Sequence, residues 1–221
     1  MLTGLITSLL LAFGAVSSAA AQQPQCEVDY TKSPKSLQLL EEKAGRGALM
    51  PNQINCLESA YAVSEKITTK DKISRVLLIN AYAYDTRNWA KLVGRHLQEV
   101  DQSDPAIAYL YTFYLNNRKK PDHQAIIKWS ETSLERRAEW KGKTYTNRTF
   151  QLLKVRAVAA TNRWADTANN GDTERAEEQR LEAKTFAREF LDFAKSADME
   201  TQEAAQLCIT AASKEACGIT E

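Results

Sequence analysis

From Ser33 to Cys217, apolar residues recur every three or four positions, which is the period of an α-helix. The clearest stretch has intervals of three, four, three and four between Phe150, Leu153, Ala157, Ala160 and Trp164. Almost no segment alternates apolar and polar residues as a strand would. The pattern predicts an all-α fold of about nine helices, and their short connections favour antiparallel neighbours.

Residues that cap helices mark several of the predicted starts. Ser33 and Asp104 each precede a proline, which is preorganised for the first helical position. Asn55 is followed three residues later by Glu58, the spacing of a capping box, so the second helix is predicted to begin there. No linker rich in Ser, Gly or Pro separates the helices. We therefore expect one helical domain over 34–217, with an N-terminal tail at 22–33 and a C-terminal tail at 218–221.

The N-terminal segment has the pattern of a secretory signal. An apolar run from Leu5 to Val16 is followed by small residues that end at Ala21. This predicts a signal peptide over 1–21 and export to the periplasm or out of the cell. The alternative is an uncleaved membrane anchor, but the run is short and is interrupted by glycine. No other stretch is apolar enough to span a membrane.

Four cysteines remain after residue 21, and an even number in an exported protein favours disulfides. Among the three possible connectivities we expect Cys26–Cys56, which would hold the N-terminal tail, and Cys208–Cys217, which would close the C-terminal end. The second pairing requires the last helix to end between its cysteines. Nine residues of continuous helix would span roughly 13 Å, which is too far for a disulfide.

Composition argues against several function classes. The net charge is +1, with 29 basic and 28 acidic residues, so no overall electrostatic attraction toward nucleic acid is expected. The chain has two histidines and no metal-ligand spacing, phosphate-binding glycine loop or nucleophile motif. We therefore expect no cofactor, no metal and no nucleic-acid partner. His96 lies on an apolar helix face and is interpreted as an interior, hydrogen-bonded residue.

Aromatic residues are concentrated between positions 82 and 114. Aromatic side chains dominate binding hot spots. We therefore predict a partner-binding surface formed by Tyr82, Tyr84, Trp89, Tyr109 and Tyr111. The alternative is that these rings pack helix against helix. Successive helical positions are about 100° apart, so the rings between Tyr109 and Tyr114 cannot share one face. We expect Tyr109 to point away from the core.

One stretch resembles the tetratricopeptide repeat family. Tyr109-Leu110-Tyr111-x-Phe113-Tyr114 is followed by Ala125-Ile126-x-x-Trp129 and a small residue at Thr132 or Ser133. The resemblance implies a right-handed α-solenoid of antiparallel helix hairpins with a surface for peptides or proteins. The loop at 116–120 is longer than the repeat pattern, and no period of thirty-four residues holds along the chain. The expected function is an exported, non-catalytic interaction or scaffold module.

Two alternatives remain open. Glu58-Ser59 resembles the Glu-Ser box of lytic transglycosylases, which implies a peptidoglycan-cleaving enzyme with Glu58 as general acid. The Gly-Leu-Met-Gln-type segment of those enzymes is missing downstream. The second alternative is a helical bundle that binds a small ligand in a closed apolar pocket. The sequence leaves the partner and the oligomeric state open.

Overall fold

A computed structural model describes residues 26–219, and the predicted signal segment 1–21 lies outside this part of the chain. The described residues form nine α-helices and no strand, which confirms the all-α prediction. The α-helices are α1 Pro34–Ala44, α2 Pro51–Val63, α3 Ile67–Tyr84, α4 Thr86–Glu99, α5 Pro105–Asn116, α6 His123–Glu135, α7 Gly142–Asn169, α8 Thr173–Ser196 and α9 Gln202–Ala211. Short 3₁₀ turns follow α6 and α9, at Arg137–Glu139 and Glu215–Cys217.

Local side chains explain where several helices begin. Asp104, Asp122 and Asp172 precede α5, α6 and α8, and their carboxylates accept hydrogen bonds from the first backbone N–H groups. The predicted start of α2 at Asn55 is wrong, because the helix already begins at Pro51. The Gln53 side chain accepts a hydrogen bond from the backbone N–H of Met50 at 3.0 Å and closes the first turn.

The helices pack mainly against their neighbours in the chain. Each helix from α3 to α8 contacts the next one, while α3 also contacts α1 and α2. Buried side chains form three clusters along this order. One includes Leu57 and Ile73 among α1–α3, a second surrounds Trp89 among α3–α5, and the largest, around Leu153 and Phe190, extends from the end of α5 to α9.

Both predicted disulfide pairings are confirmed in geometry. Cys26 and Cys56 have Cα atoms 5.7 Å apart, and Cys208 and Cys217 have theirs 6.0 Å apart. Helix α9 ends at Ala211, which is the turn that the second pairing required. None of the described helices combines the length and apolar character that a membrane crossing requires.

Candidate functional site

The predicted partner-binding residues fall into three environments. Tyr82 and Tyr84, in the last turn of α3, are 55% and 50% exposed. Trp89 is 1% exposed, so it is a core residue and does not itself reach the surface. Tyr109 and Tyr111 are half-buried on α5. The five residues therefore form no single aromatic patch.

Buried Trp89 nevertheless connects two of these environments. Its ring centroid lies 5.6 Å from that of Tyr82 on one side. On the other side it lies 6.0 Å from Tyr111 and 5.0 Å from Tyr114. Such tilted and edge-on pairs add roughly 0.5–1.5 kcal/mol beyond their buried area. The exposed Tyr82 ring therefore packs edge-on against a buried side chain.

Tyr109 does not point away from the core, contrary to expectation. Its ring packs against Phe113 at 4.8 Å and Trp140 at 6.3 Å between centroids, and its hydroxyl donates to Gln151 of α7. The Arg148 guanidinium lies 5.0 Å from the ring centroid. Burial raises the pKa of the Tyr109 hydroxyl, with Arg148 opposing this shift. The ring meets α7 because α5 packs against α7 as well as against α4 and α6.

A groove lies beside Tyr82, between α1, α3 and α5. Its volume is about 330 Å³, and most of its lining is apolar, including Leu78, Ile79, Ile107 and Leu110. Glu41 of α1 lies at the same groove and forms no ion pair within residues 26–219. Exposed aromatic and aliphatic groups around a concave surface are typical of a site that accepts another molecule's side chain. We call this region the Tyr82 groove.

Glu58, the general acid of the transglycosylase alternative, is paired with Arg95. Both of its carboxylate oxygens accept hydrogen bonds from the Arg95 guanidinium, at 2.5 and 3.2 Å. Arg95 in turn lies 4.1 Å from the ring centroid of Tyr61. The pair lines a cavity of about 280 Å³ among α2, α3 and α4. A general acid must present a proton to its substrate, whereas Arg95 already uses both Glu58 oxygens as acceptors.

A buried serine, histidine and aspartate form the most elaborate polar cluster of the described chain. His96 Nδ1 lies 3.1 Å from the Ser74 hydroxyl and Nε2 lies 3.2 Å from Asp104 Oδ2. An ionised carboxylate can only accept, so Nε2 donates to Asp104, and Nδ1 pairs with the Ser74 hydroxyl. His96 is fully buried, and the other two residues are 1% exposed. This confirms the interior histidine and gives a substrate no access to Ser74.

Asp104 is the centre of this cluster and joins three helices. Its Oδ1 caps α5 by accepting from the backbone N–H groups of Ala106 and Ile107, at 2.9 and 3.0 Å. Its Oδ2 accepts from Arg75 of α3 at 2.5 Å as well as from His96 of α4. Burial opposes ionisation, but the hydrogen bonds from His96 and Ile107 and the charge of Arg75 outweigh it. The pKa of the Asp104 carboxyl is therefore held well below its usual range.

The same cluster has the ligand types of a metal site but is already neutralised. One ligand atom from each of Asp71, His96 and Asp104 lies within 4.8 Å of the others. The Arg75 guanidinium binds both carboxylates, at 2.9 Å from Asp71 and 2.5 Å from Asp104. A cation at this point would have to displace Arg75, so the residues fit a structural network better than a metal centre.

Two residues of this cluster could be recognised from the sequence alone. His96 on an apolar face requires a partner, and Asp104 before Pro105 is a recognisable cap. Nothing local connects them to Ser74, which is 22 residues from His96, or to Arg75, which is 29 residues from Asp104. The Glu58–Arg95 pair, 37 residues apart, has no local signal either.

Comparison with known proteins finds no matching family model, no matching curated protein and no matching solved structure.

Proposed function

We propose that this protein is an exported, non-catalytic interaction module that binds a peptide or protein partner at the Tyr82 groove. The observation that carries the proposal is the groove itself, an apolar concave surface whose rim bears a ring that is more than half exposed. Burying such a ring and the apolar side chains beside it is the main source of binding energy at protein interfaces. Trp89 fixes Tyr82 before binding, which lowers the entropic cost of association.

The charge around the groove specifies the partner further. Arg75 lines the groove but is paired with Asp71 and Asp104, so its charge is neutralised. Glu41 has no such partner within the described residues and leaves a negative charge at the groove. The partner that fits is an apolar segment with a neighbouring Lys or Arg.

The finer architecture is part of the same proposal. Packing between sequence neighbours and three successive core clusters support a right-handed solenoid of antiparallel, tetratricopeptide-like hairpins. Two disulfides within the described chain support export through the predicted signal peptide, because disulfides persist mainly in oxidising compartments.

Site-specific photocrosslinking tests the proposal. A benzophenone amino acid replaces Tyr82 in the full-length protein, and the same group replaces Leu181 in a matched control. Leu181, on α8, is an apolar residue that is 49% exposed and does not line the groove. We expect a discrete adduct from position 82 and none from position 181. Mass spectrometry identifies the partner and the crosslinked peptide, which should be apolar with a basic residue.

The affinity of the purified partner for the wild type and for variants then tests the proposal quantitatively. Tyr82→Ala should weaken binding by about tenfold or more, the usual effect at a hot spot. Glu41→Lys, as a separate variant, should also weaken binding. Leu181→Ala should leave the affinity unchanged. Equal adducts at both positions, or a partner that binds Tyr82→Ala as tightly as the wild type, would contradict the proposal.

The transglycosylase alternative has its own test. Glu58→Gln removes the carboxylate while keeping the side chain's shape, and glycan release from purified peptidoglycan is measured. The proposal of a non-catalytic protein expects no release by either the wild type or the variant. Release by the wild type that is lost in Glu58→Gln would establish the enzyme instead.

A further inference from the structure

A second groove, between α4 and α6, is larger and chemically different. Its volume is about 450 Å³, within the range of small-molecule sites. The lining residues that matter are Gly94 and Gln98 of α4, Gln102 after α4, Tyr111 of α5, and Lys128 and Trp129 of α6. We call it the Trp129 groove. It shares no lining residue with the Tyr82 groove.

Gly94 lies in the interior of α4, where glycine is unfavourable. Glycine lowers helix stability by roughly 0.5–1 kcal/mol relative to alanine. Its φ is not in the left-handed region, and a Cβ added there would meet no atom within 4 Å. The described structure therefore gives no conformational or packing reason for glycine. Gly94 leaves the α4 backbone open at the groove, as is found where a ligand approaches the backbone closely.

Two aromatic rings form the apolar wall of the groove. The centroids of Tyr111 and Trp129 lie 5.7 Å apart, and their planes are inclined by 64°. The Lys128 ammonium lies 4.9 Å from the Trp129 centroid. Both rings are half-buried, so they are held by the core while part of each remains accessible. Such a wall suits the apolar C–H surface of a ligand that is polar elsewhere.

The polar groups of the groove are mostly neutral and can both donate and accept. The side-chain amides of Gln98 and Gln102 are exposed and hydrogen-bond to no other side chain or backbone group within residues 26–219. The Tyr111 hydroxyl has the same double capacity. Lys128 is the one charged lining residue, so an anion with several charges would find too few counter-charges. Sugar hydroxyl groups likewise donate and accept at once.

We propose that the Trp129 groove binds a neutral saccharide. The apolar face of a sugar ring packs against Tyr111 and Trp129, and the bare backbone at Gly94 lets the ring approach α4. The amides of Gln98 and Gln102 and the Lys128 ammonium bind its hydroxyl groups. This site does not depend on the proposed partner at the Tyr82 groove.

The experiment presents the full-length protein to an array of defined neutral oligosaccharides, built from glucose, galactose, mannose and N-acetylglucosamine. Polyproline and mixed-sequence peptides on the same array represent the competing ligand class. The best soluble oligosaccharide is then titrated calorimetrically. We expect binding to a neutral oligosaccharide, and about tenfold or greater loss of affinity in both Gly94→Ala and Trp129→Ala.

Gly94→Ala separates ligand binding from folding. Because nothing occupies the space at Gly94, alanine should raise the melting temperature of the free protein by about 2 °C. Loss of saccharide binding by a stabilised variant cannot come from unfolding. Leu181→Ala, on α8 and outside this groove, is the matched control and should bind as the wild type does.

Three outcomes would overturn the inference: no oligosaccharide bound by the wild type, binding unchanged in Gly94→Ala, or peptides bound at this groove in place of saccharides. None of these alters the result of crosslinking at position 82, so the two proposals fail separately.

Discussion

Replacing Asp104 with serine should destabilise the protein by much more than the loss of a helix cap. Serine retains capping of α5, because its hydroxyl also accepts from the first backbone N–H groups. It removes Oδ2, the acceptor for His96 at 3.2 Å and Arg75 at 2.5 Å. The variant therefore isolates the contribution of the buried network from that of the cap.

The magnitude follows from the exposure of the two donors. His96 is fully buried, and leaving a buried polar group unpaired costs about 1–3 kcal/mol. The Arg75 side chain is 36% exposed and keeps its pairing with Asp71, so losing its bond to Asp104 adds only about 1 kcal/mol. We expect Asp104→Ser to lower the free energy of unfolding by about 2–4 kcal/mol.

Asp122 provides the matched control. It caps α6 through one hydrogen bond from the backbone N–H of Ala125 at 3.0 Å and has an exposed side chain. Asp122→Ser should change the free energy of unfolding by less than about 0.5 kcal/mol. Urea unfolding followed by far-UV circular dichroism, with both disulfides intact, measures each variant. If the two variants differ by less than about 0.5 kcal/mol, the reasoning about the network is refuted.

The difference in the free energy of unfolding between the wild type and Asp104→Ser should depend on pH. Since the pKa of Asp104 is lowered in the folded state, its stabilising effect is present above the unfolded pKa of about 4. That effect is lost progressively as the pH falls below this value. The gap between the wild type and Asp104→Ser should therefore be smaller at pH 3 than at pH 7. An equal gap at both pH values would show that the carboxylate charge is unimportant.

Two further predictions concern the disulfides and Tyr61. Removing Cys26–Cys56, which closes a sequence separation of 30, should lower the free energy of unfolding by about 1 kcal/mol more than removing Cys208–Cys217, with a separation of 9. Urea unfolding of the two double-serine variants measures this difference. The reverse order would contradict the loop-entropy argument. Burial and the neighbouring Glu99 raise the pKa of Tyr61 to about 12, so stability should fall as the pH rises from 10 to 12. Tyr61→Phe should lose less stability over that range in thermal unfolding; equal losses would show that Tyr61 does not titrate in this way.

Helix identity and several boundaries were predictable from the sequence because the determinants are local. Asp104, Asp122 and Asp172 cap helices through backbone groups only two or three residues away. The expected Cys208–Cys217 pairing was likewise local, since it spans nine residues and one turn. The start of α2 was not predicted correctly, because Asn55 and Pro51 both have favourable start signals and the Gln53 side chain selects the earlier one.

The period of apolar residues and the caps by themselves determined an all-helical chain, and the even number of cysteines favoured disulfides without fixing which of the three pairings forms. Only the tertiary structure decided which polar residues meet, because the packing of α3 against α4 and of α4 against α5 brings Ser74 and Asp104 to His96, and Arg75 to Asp104. It also decided which aromatic residues are accessible: Trp89 is covered by neighbours far away in sequence, whereas Tyr82 on the preceding helix is left at the edge of a groove. A helical period shows which residues share a face, but the neighbouring helices determine whether that face is covered.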